Sequence, residues 1–419
     1  LRPAVQGREA GGGQARQGQV TMGAAGRPAA STARLQASAW AGMFAFGLVM
    51  AILGAILPSL FERIGFGAGA AGNLFLTMNF AMLVTTLFFG PLVDRFGFKA
   101  VLAVSALLVA LAFLALSRAS GYGLVLGAAV VLGLGGGGLN GGTNALTSGL
   151  HEGEKRTSAL NVLGIFFGFG ALFVPFLIGT MREALGVGPI LALACFLSLV
   201  PFVIYVALRF PRAKQPQGFP LKSAAAIVRS PLLWLTAFIL FFQSANEFTV
   251  GGWISTYLQK TFGVGAGPAA LVLAGYWAAI MIGRLVSSRL VRAVRAETLI
   301  LGSAVLALAA ALLMILAPSG PAAAAGAVLI GFGFAAIYPT TLALVGGTFA
   351  ELTGTAFSVV IAVGLAGGML APWLAGKIAE ASSLRHGLVI PAVDCAMIIL
   401  LTILVRRRSG PKNKEAIPS

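Results

Sequence analysis

Long apolar runs alternate with short polar breaks along nearly the whole chain. Twelve runs can be marked, at residues 38–61, 71–92, 99–117, 122–149, 158–180, 187–208, 231–257, 268–288, 298–317, 321–346, 354–376 and 386–405. Most are about 20 residues long, the length an α-helix needs to cross the hydrocarbon of a bilayer. Strands of a membrane barrel would be about half as long and would alternate apolar with polar residues, which these runs do not. The pattern predicts an all-α integral membrane protein with twelve transmembrane helices. The longest break, at 209–230, divides the runs six and six. The expected order is a disordered N-tail (1–37), a six-helix bundle (38–208), a linker (209–230), a second six-helix bundle (231–405) and a C-tail (406–419). The first residues, LRPAVQGREAGGGQARQGQV, contain no apolar core of a secretory signal. Met22 is an alternative start, which would leave residues 1–21 outside the native chain.

The second bundle echoes the first. VLGLGGGGLNGGTNAL (131–146) aligns with LIGFGFAAIYPTTLAL (329–344) at an offset of 198, and GFGAGAA (65–71) aligns with GVGAGPA (263–269) at the same offset. Gly170, Pro175 and Gly179 answer to Gly367, Pro372 and Gly376 at 197, and GPLVDRFG (90–97) to GRLVSSRL (283–290) with a five-residue slip. Four matches in order point to a duplicated six-helix unit in one orientation. Parallel repeats of this kind build secondary transporters, with a solute site between the halves near the midplane.

Composition agrees with a membrane setting: 58% of residues are hydrophobic and 10% charged, against about 25% charged in a soluble domain. The net charge of +17 would suggest nucleic acid in a soluble protein, but here the basic residues sit between apolar runs. Of the 29 Lys and Arg, 23 fall on the side holding both tails and the linker. The positive-inside rule then puts both termini in the cytoplasm of a multi-pass plasma (inner) membrane protein. Cys195 and Cys395 lie in apolar runs and read as free thiols, and His151 and His386 lie at loop edges. Neither a metal site nor a cofactor is expected. An intramembrane enzyme would need clustered His, Cys or carboxylates, so no enzymatic activity is expected.

Candidate chemistry is sparse. Glu247 and Asp394 are the two acids inside apolar runs, and no Lys or Arg is read as lying deep within one. An intramembrane carboxyl is costly and marks a cavity, a partner or a proton path. Glu247 is therefore the first coupling candidate, to protons or sodium. Asp394, in the last run, is the second candidate or a supporting structural group. Gln243, Asn246 and Glu247 stand at i, i+3 and i+4, with Trp253 continuing near that face. Asn140, Thr143 and Asn144 form a second polar stripe, and Tyr338 and Thr341 hold the places equivalent to Asn140 and Thr143. Amides, hydroxyls and an aromatic face suit a neutral polyol. Hydrogen bonds between helices are the alternative reading for any one of these residues. GLGGGG (133–138) has no phosphate-loop lysine and reads as close helix packing.

GPLVDRFGFKAV (90–101), between the second and third runs, resembles the cytoplasmic loop motif of the major facilitator superfamily. The resemblance implies two bundles working by alternating access, with Asp94, Arg95, Lys99 and Arg289 as gating charges. NEFTVGGWISTYL (246–258) and GFGFAAIYPTTLAL are similar to helices seven and ten of the fucose–proton symporter branch, which includes sugar permeases. That branch carries proton-linked carboxylates in helices one and four. Here the first run has no acid before Glu62, and Asn140 stands at the helix-four position. The expected activity is secondary active transport of a small polar solute, sugar-like, by a monomer. The alternatives are a proton-driven exporter of amphipathic drugs and, further off, a non-transporting receptor.

Overall fold

The computed structural model describes residues 30–151, 153–210, 229–291, 293–349 and 353–408. Residues 1–29, 211–228 and 409–419 of the expected tails and linker lie outside the described residues. The described chain is helical, without strands: α1 (Thr32–Ile64), α2 (Ala68–Arg118), α3 (Tyr122–Leu150), α4 (Gly153–Leu185), α5 (Val187–Ala207), α6 (Pro231–Phe262), α7 (Ala266–Leu290), α8 (Ala296–Leu316), α9 (Gly320–Phe334), α10 (Ile337–Thr348), α11 (Thr353–Ala381), α12 (Leu384–Gly387) and α13 (Ile390–Arg408). Ten helical stretches among the described residues are long and apolar enough to cross a membrane. At 32 residues α6 has the length, yet it falls outside that set. Gln243, Ser244, Asn246, Glu247 and Thr249 interrupt its apolar centre.

Local chemistry sets the boundaries. α1 ends at Gly65 (φ 76°) and α6 at Gly263 (φ 66°), a left-handed cap that glycine adopts without strain. Pro231 opens α6, where a missing N–H costs nothing. The second and third apolar runs are joined as the 51-residue α2, broken at Gly97 with φ 77° and ψ 161°. Straight, such a helix would be about 76 Å long. Instead the Phe89 and Phe98 rings come within 6.5 Å, so the chain doubles back at Gly97. The run 321–346, expected as one helix, is interrupted at Ala335–Ala336. Pro339 lies just beyond, and its ring and missing N–H oppose the bond to residue 335.

One end of the bundle is tied across its helices. Arg182 donates to Glu62 at 2.8 Å, and Arg63 to the Ala119 carbonyl at 2.6 Å. Lys260 lies 4.0 Å over the Phe61 ring, and Arg385 donates to the Ala317 carbonyl at 3.4 Å. This is the end at which α1 turns into α2 and α6 into α7. Near it α2 packs on α11, α4 on α7 and α1 on α6. A Cβ at Gly54 would fall on the Gly251 carbonyl, one at Gly376 would meet Ala68 and Gly72, and one at Gly179 would meet Leu271 and Gly267. Within lipid no hydrophobic force drives helices together, so small residues that let backbones touch supply the contact. Toward the other end the ties run within each half. Gln36 donates to Thr147 at 3.3 Å and Tyr205 to the Ser38 carbonyl at 3.1 Å. Leu233, Ala237, Leu240, Val345, Ala356 and Val360 form a separate cluster in the second half.

Candidate functional site

The polar centre of α6 meets α7 and the α9–α10 break. Glu247 stands 16 residues from Pro231 and 15 from Phe262, at the middle of α6. Its Oε1 accepts from Gln243 Nε2 at 3.1 Å and lies 4.0 Å from a terminal nitrogen of Arg284. Gln243 also donates to the Phe334 carbonyl at 3.3 Å, in the last turn of α9. The Tyr276 hydroxyl donates to the Glu247 backbone carbonyl at 3.3 Å. Tyr276 and Tyr338 both lie within electrostatic reach of Glu247 and Arg284. Across the interface Phe167 of α4 stands with its ring centroid 5.6 Å from the guanidinium and 6.0 Å from the Trp277 ring.

Arg284 corrects the expectation that no cation lies deep in an apolar run. In the sequence it stands five residues before Arg289 and reads with the basic loop that follows. In fact it sits about two turns inside α7, and its long stem carries the charge inward to Glu247. The signal was present in the sequence, because Arg284 falls within the run marked 268–288.

The other candidates separate. Asn246 turns away from the pair and donates to Cys395 Sγ at 3.6 Å. Trp253 is fully buried, donates to the Pro372 carbonyl at 3.0 Å and packs on Phe75 at 5.6 Å. It therefore bolts α6 to α11 in this conformation instead of offering a ring to solute. Thr143 and Thr341 are buried, with hydroxyls turned to the Leu139 and Ile337 carbonyls at 2.8 and 2.7 Å. Asn144 donates to the Asn140 side chain at 3.0 Å, and both remain partly exposed, as does Tyr338. Asp394 is buried in α13 with Oδ2 lacking a partner among the described residues. Asp94, Arg95, Lys99 and Arg289 are exposed at the far end from the tied turns, and Arg95 lies 5.4 Å over the Phe96 ring. A small cleft beside Glu247 is lined by Met50, Phe75, Met78, Phe248 and Trp277, apolar residues from both halves.

Comparison with known proteins places these features. A transporter of Sinorhizobium fredii, y4wD, is 27% identical over 175 residues, 42% of this chain and 46% of that relative. The alignment thus spans less than half of y4wD. A putative glucose/galactose transporter of Helicobacter pylori is 25% identical over 70% of this chain and 75% of its own length. The multidrug resistance protein MdtG of Serratia proteamaculans is 27% identical over 48% of this chain and 51% of its own. Among solved structures, a D-xylose–proton symporter superposes with a TM-score of 0.73 at 15% identity, covering 89% of this chain and 96% of that one. The E. coli fucose:proton symporter superposes with a TM-score of 0.64 at 18% identity, covering 90% and 99%. The Major Facilitator Superfamily model matches residues 39–360 and 236–419. With that match over most of its length, the chain belongs to the Major Facilitator Superfamily of membrane transporters.

Proposed function

We propose that this protein moves a small, polar, sugar-like solute across the inner membrane by alternating access, with Glu247 carrying the coupled proton. The observation that carries the reading is the mid-depth cluster of Glu247, Gln243 and Arg284, set between the two halves. A lone carboxyl there would be expensive. One that alternates between a proton and a neighbouring guanidinium stays neutralised in both states. The sugar–proton symporters of the same fold, and the glucose/galactose relative, support a sugar-like cargo.

The proposed scaffold is twelve helices in two parallel six-helix repeats, 38–208 and 231–405, joined by the 209–230 linker. Division of α2 at Gly97 supplies one more span than the ten apolar stretches, and α6 supplies another. The close crossings support the duplication: Gly179 on Gly267 and Gly376 on Ala68 and Gly72 are repeat-related pairs. With both termini cytoplasmic, the conformation is closed outside and faces inward. Asp94, Arg95, Lys99 and Arg289 would then lie at the open gate, poised to pair when it shuts.

Glu247→Gln mimics the protonated state. In proteoliposomes it should retain exchange of solute across the membrane but lose accumulation against a gradient. Accumulation equal to the parent, with the same pH dependence, would reduce Glu247 to a structural group. A second reading, export of amphipathic drugs, is favoured by the apolar cleft of Met50, Phe75, Met78, Phe248 and Trp277 and by the MdtG relative. Substitution of Phe75 or Trp277 by Ala should then raise the drug susceptibility of expressing cells.

A further inference from the structure

We propose that Arg284 is the anion-binding group of the transport site and that the solute carries a carboxylate, one acid moving with one proton. This rests on the proton-coupled carrier reading and names the chemistry of its cargo.

The first support is an incomplete ion pair. A guanidinium presents five N–H donors in a planar fork. The partner of Arg284 among the described ion pairs, Glu247, is 4.0 Å away, beyond hydrogen-bonding distance. The same Oε1 already accepts from Gln243. Arg284 Nε is buried with no partner among the described residues. Idle donors on an embedded cation are costly, and a carboxylate fills such a fork with two parallel bonds.

The second support is access. The Arg284 side chain is 29% exposed, against 10% for Glu247. The cation is thus the more accessible of the two charges. The Phe167 ring, 5.6 Å from the guanidinium carbon, holds the cation from the opposite half. Tyr338, partly exposed, lies within electrostatic range of both charges.

The third support is charge balance. With Glu247 ionised beside Arg284, 4.0 Å away, the empty site would be neutral. Protonating Glu247 leaves Arg284 uncompensated. A neutral sugar bound at that point would cross with a bare cation, whereas a carboxylate restores neutrality. Only an anionic cargo makes the empty and loaded sites equally neutral, and a neutral site is the one that reorients through low dielectric at least cost.

The test uses the full chain in proteoliposomes with matched labelled pairs: glucuronate and glucose, lactate and propane-1,2-diol, benzoate and benzyl alcohol. The expected result is that at least one acid enters tenfold or more faster than its neutral mate, driven by an inward proton gradient. A potassium diffusion potential set with valinomycin should leave that rate unchanged, because the loaded site is neutral. Arg284→Gln should lower acid uptake at least tenfold, and Arg284→Lys, which keeps the charge but loses the fork, at least threefold. Size-exclusion profiles and the wild-type panel keep the result readable if one variant fails to fold. Preference for the neutral mates, acid uptake that follows the diffusion potential, acid preference surviving in Arg284→Gln, or no acid entering at all would each overturn the proposal. Proton-driven entry of glucose without glucuronate would refute the anionic cargo and leave the proton-coupled carrier standing. Acid entry indifferent to the proton gradient would keep the Arg284 site and refute the coupling.

Discussion

At the offset of 198 residues Gly54 answers to Gly252, Gly65 to Gly263 and Gly69 to Gly267, while Gln243, Asn246 and Glu247 answer to Ala45, Leu48 and Val49. The glycines cap helices or lie at crossings between helices. The three apolar residues of α1 are wholly buried. Arg284 likewise faces Pro91 in the slipped alignment of GPLVDRFG with GRLVSSRL. Backbone approach needs glycine on both sides of an interface, so both copies keep it. A charge pair needs only one side, and a second embedded pair would add cost without adding a site. On the proposed duplication the halves share a scaffold and differ in chemistry, with the Glu247–Arg284 pair in the second.

The scaffold should break equally from either copy, and most severely. Gly54→Val would drive a side chain onto the Gly251 carbonyl, and Gly252→Val would drive one into the Phe75 ring. Each should block closure at the tied end and lower transport at least a hundredfold in a proteoliposome assay. A strong effect from one substitution and a negligible one from the other would end the argument for matched crossings. Next comes the chemistry. Moving the carboxyl by the double change Val49→Glu and Glu247→Val should abolish accumulation, because Arg284 stays behind. Accumulation in that variant would mean that either half can host the coupling group. A smaller effect is expected at the loops. Asp94→Asn should slow reorientation several-fold by a stopped-flow fluorescence assay, whereas Ser287→Ala, at the aligned position, should not. Identical rates for Asp94→Asn and the parent would leave Asp94 a helix cap.

How far the sequence could be read follows from the kind of feature. Helix positions were legible because a run of about 20 apolar residues has few other fates. The proposed duplication rests on glycines, several of which sit at backbone contacts that leave little room for a larger residue. Which face of α6 meets which neighbour was not legible. Gln243, Asn246 and Glu247 share a stripe by spacing, yet Asn246 turns to Cys395 while the other two turn to α7 and α9. Spacing fixes an angle around one helix and says nothing of where its neighbours stand. Nor does spacing show that the Trp253 ring is buried against Phe75 and Pro372 in this conformation. Arg284 was missed because Arg289, Arg292 and Arg295 follow it and read together as a loop, although a long basic side chain can send its charge well away from its own Cα. The break at Ala335–Ala336 was available in Pro339, in the aligned place of Gly141 in the unbroken α3.

The smallest effect should come from the polar pair of the first half. Asn144 Nδ2 donates to Asn140 Oδ1 at 3.0 Å and to the Asn140 carbonyl at 2.9 Å, so the two amides largely satisfy each other. The aligned residues are Tyr338 and Leu342, which form no such pair. Asn144→Leu copies the second half and removes one hydrogen bond within a helix. Such bonds in membranes average about 0.6 kcal/mol, or roughly threefold in an equilibrium constant. The variant should fold in normal yield, and its apparent KM should rise by no more than about threefold with kcat little changed. A KM rise well beyond tenfold would put Asn144 in direct contact with solute. Binding would then be shared by both halves, and only the charge, not the recognition, would belong to the second.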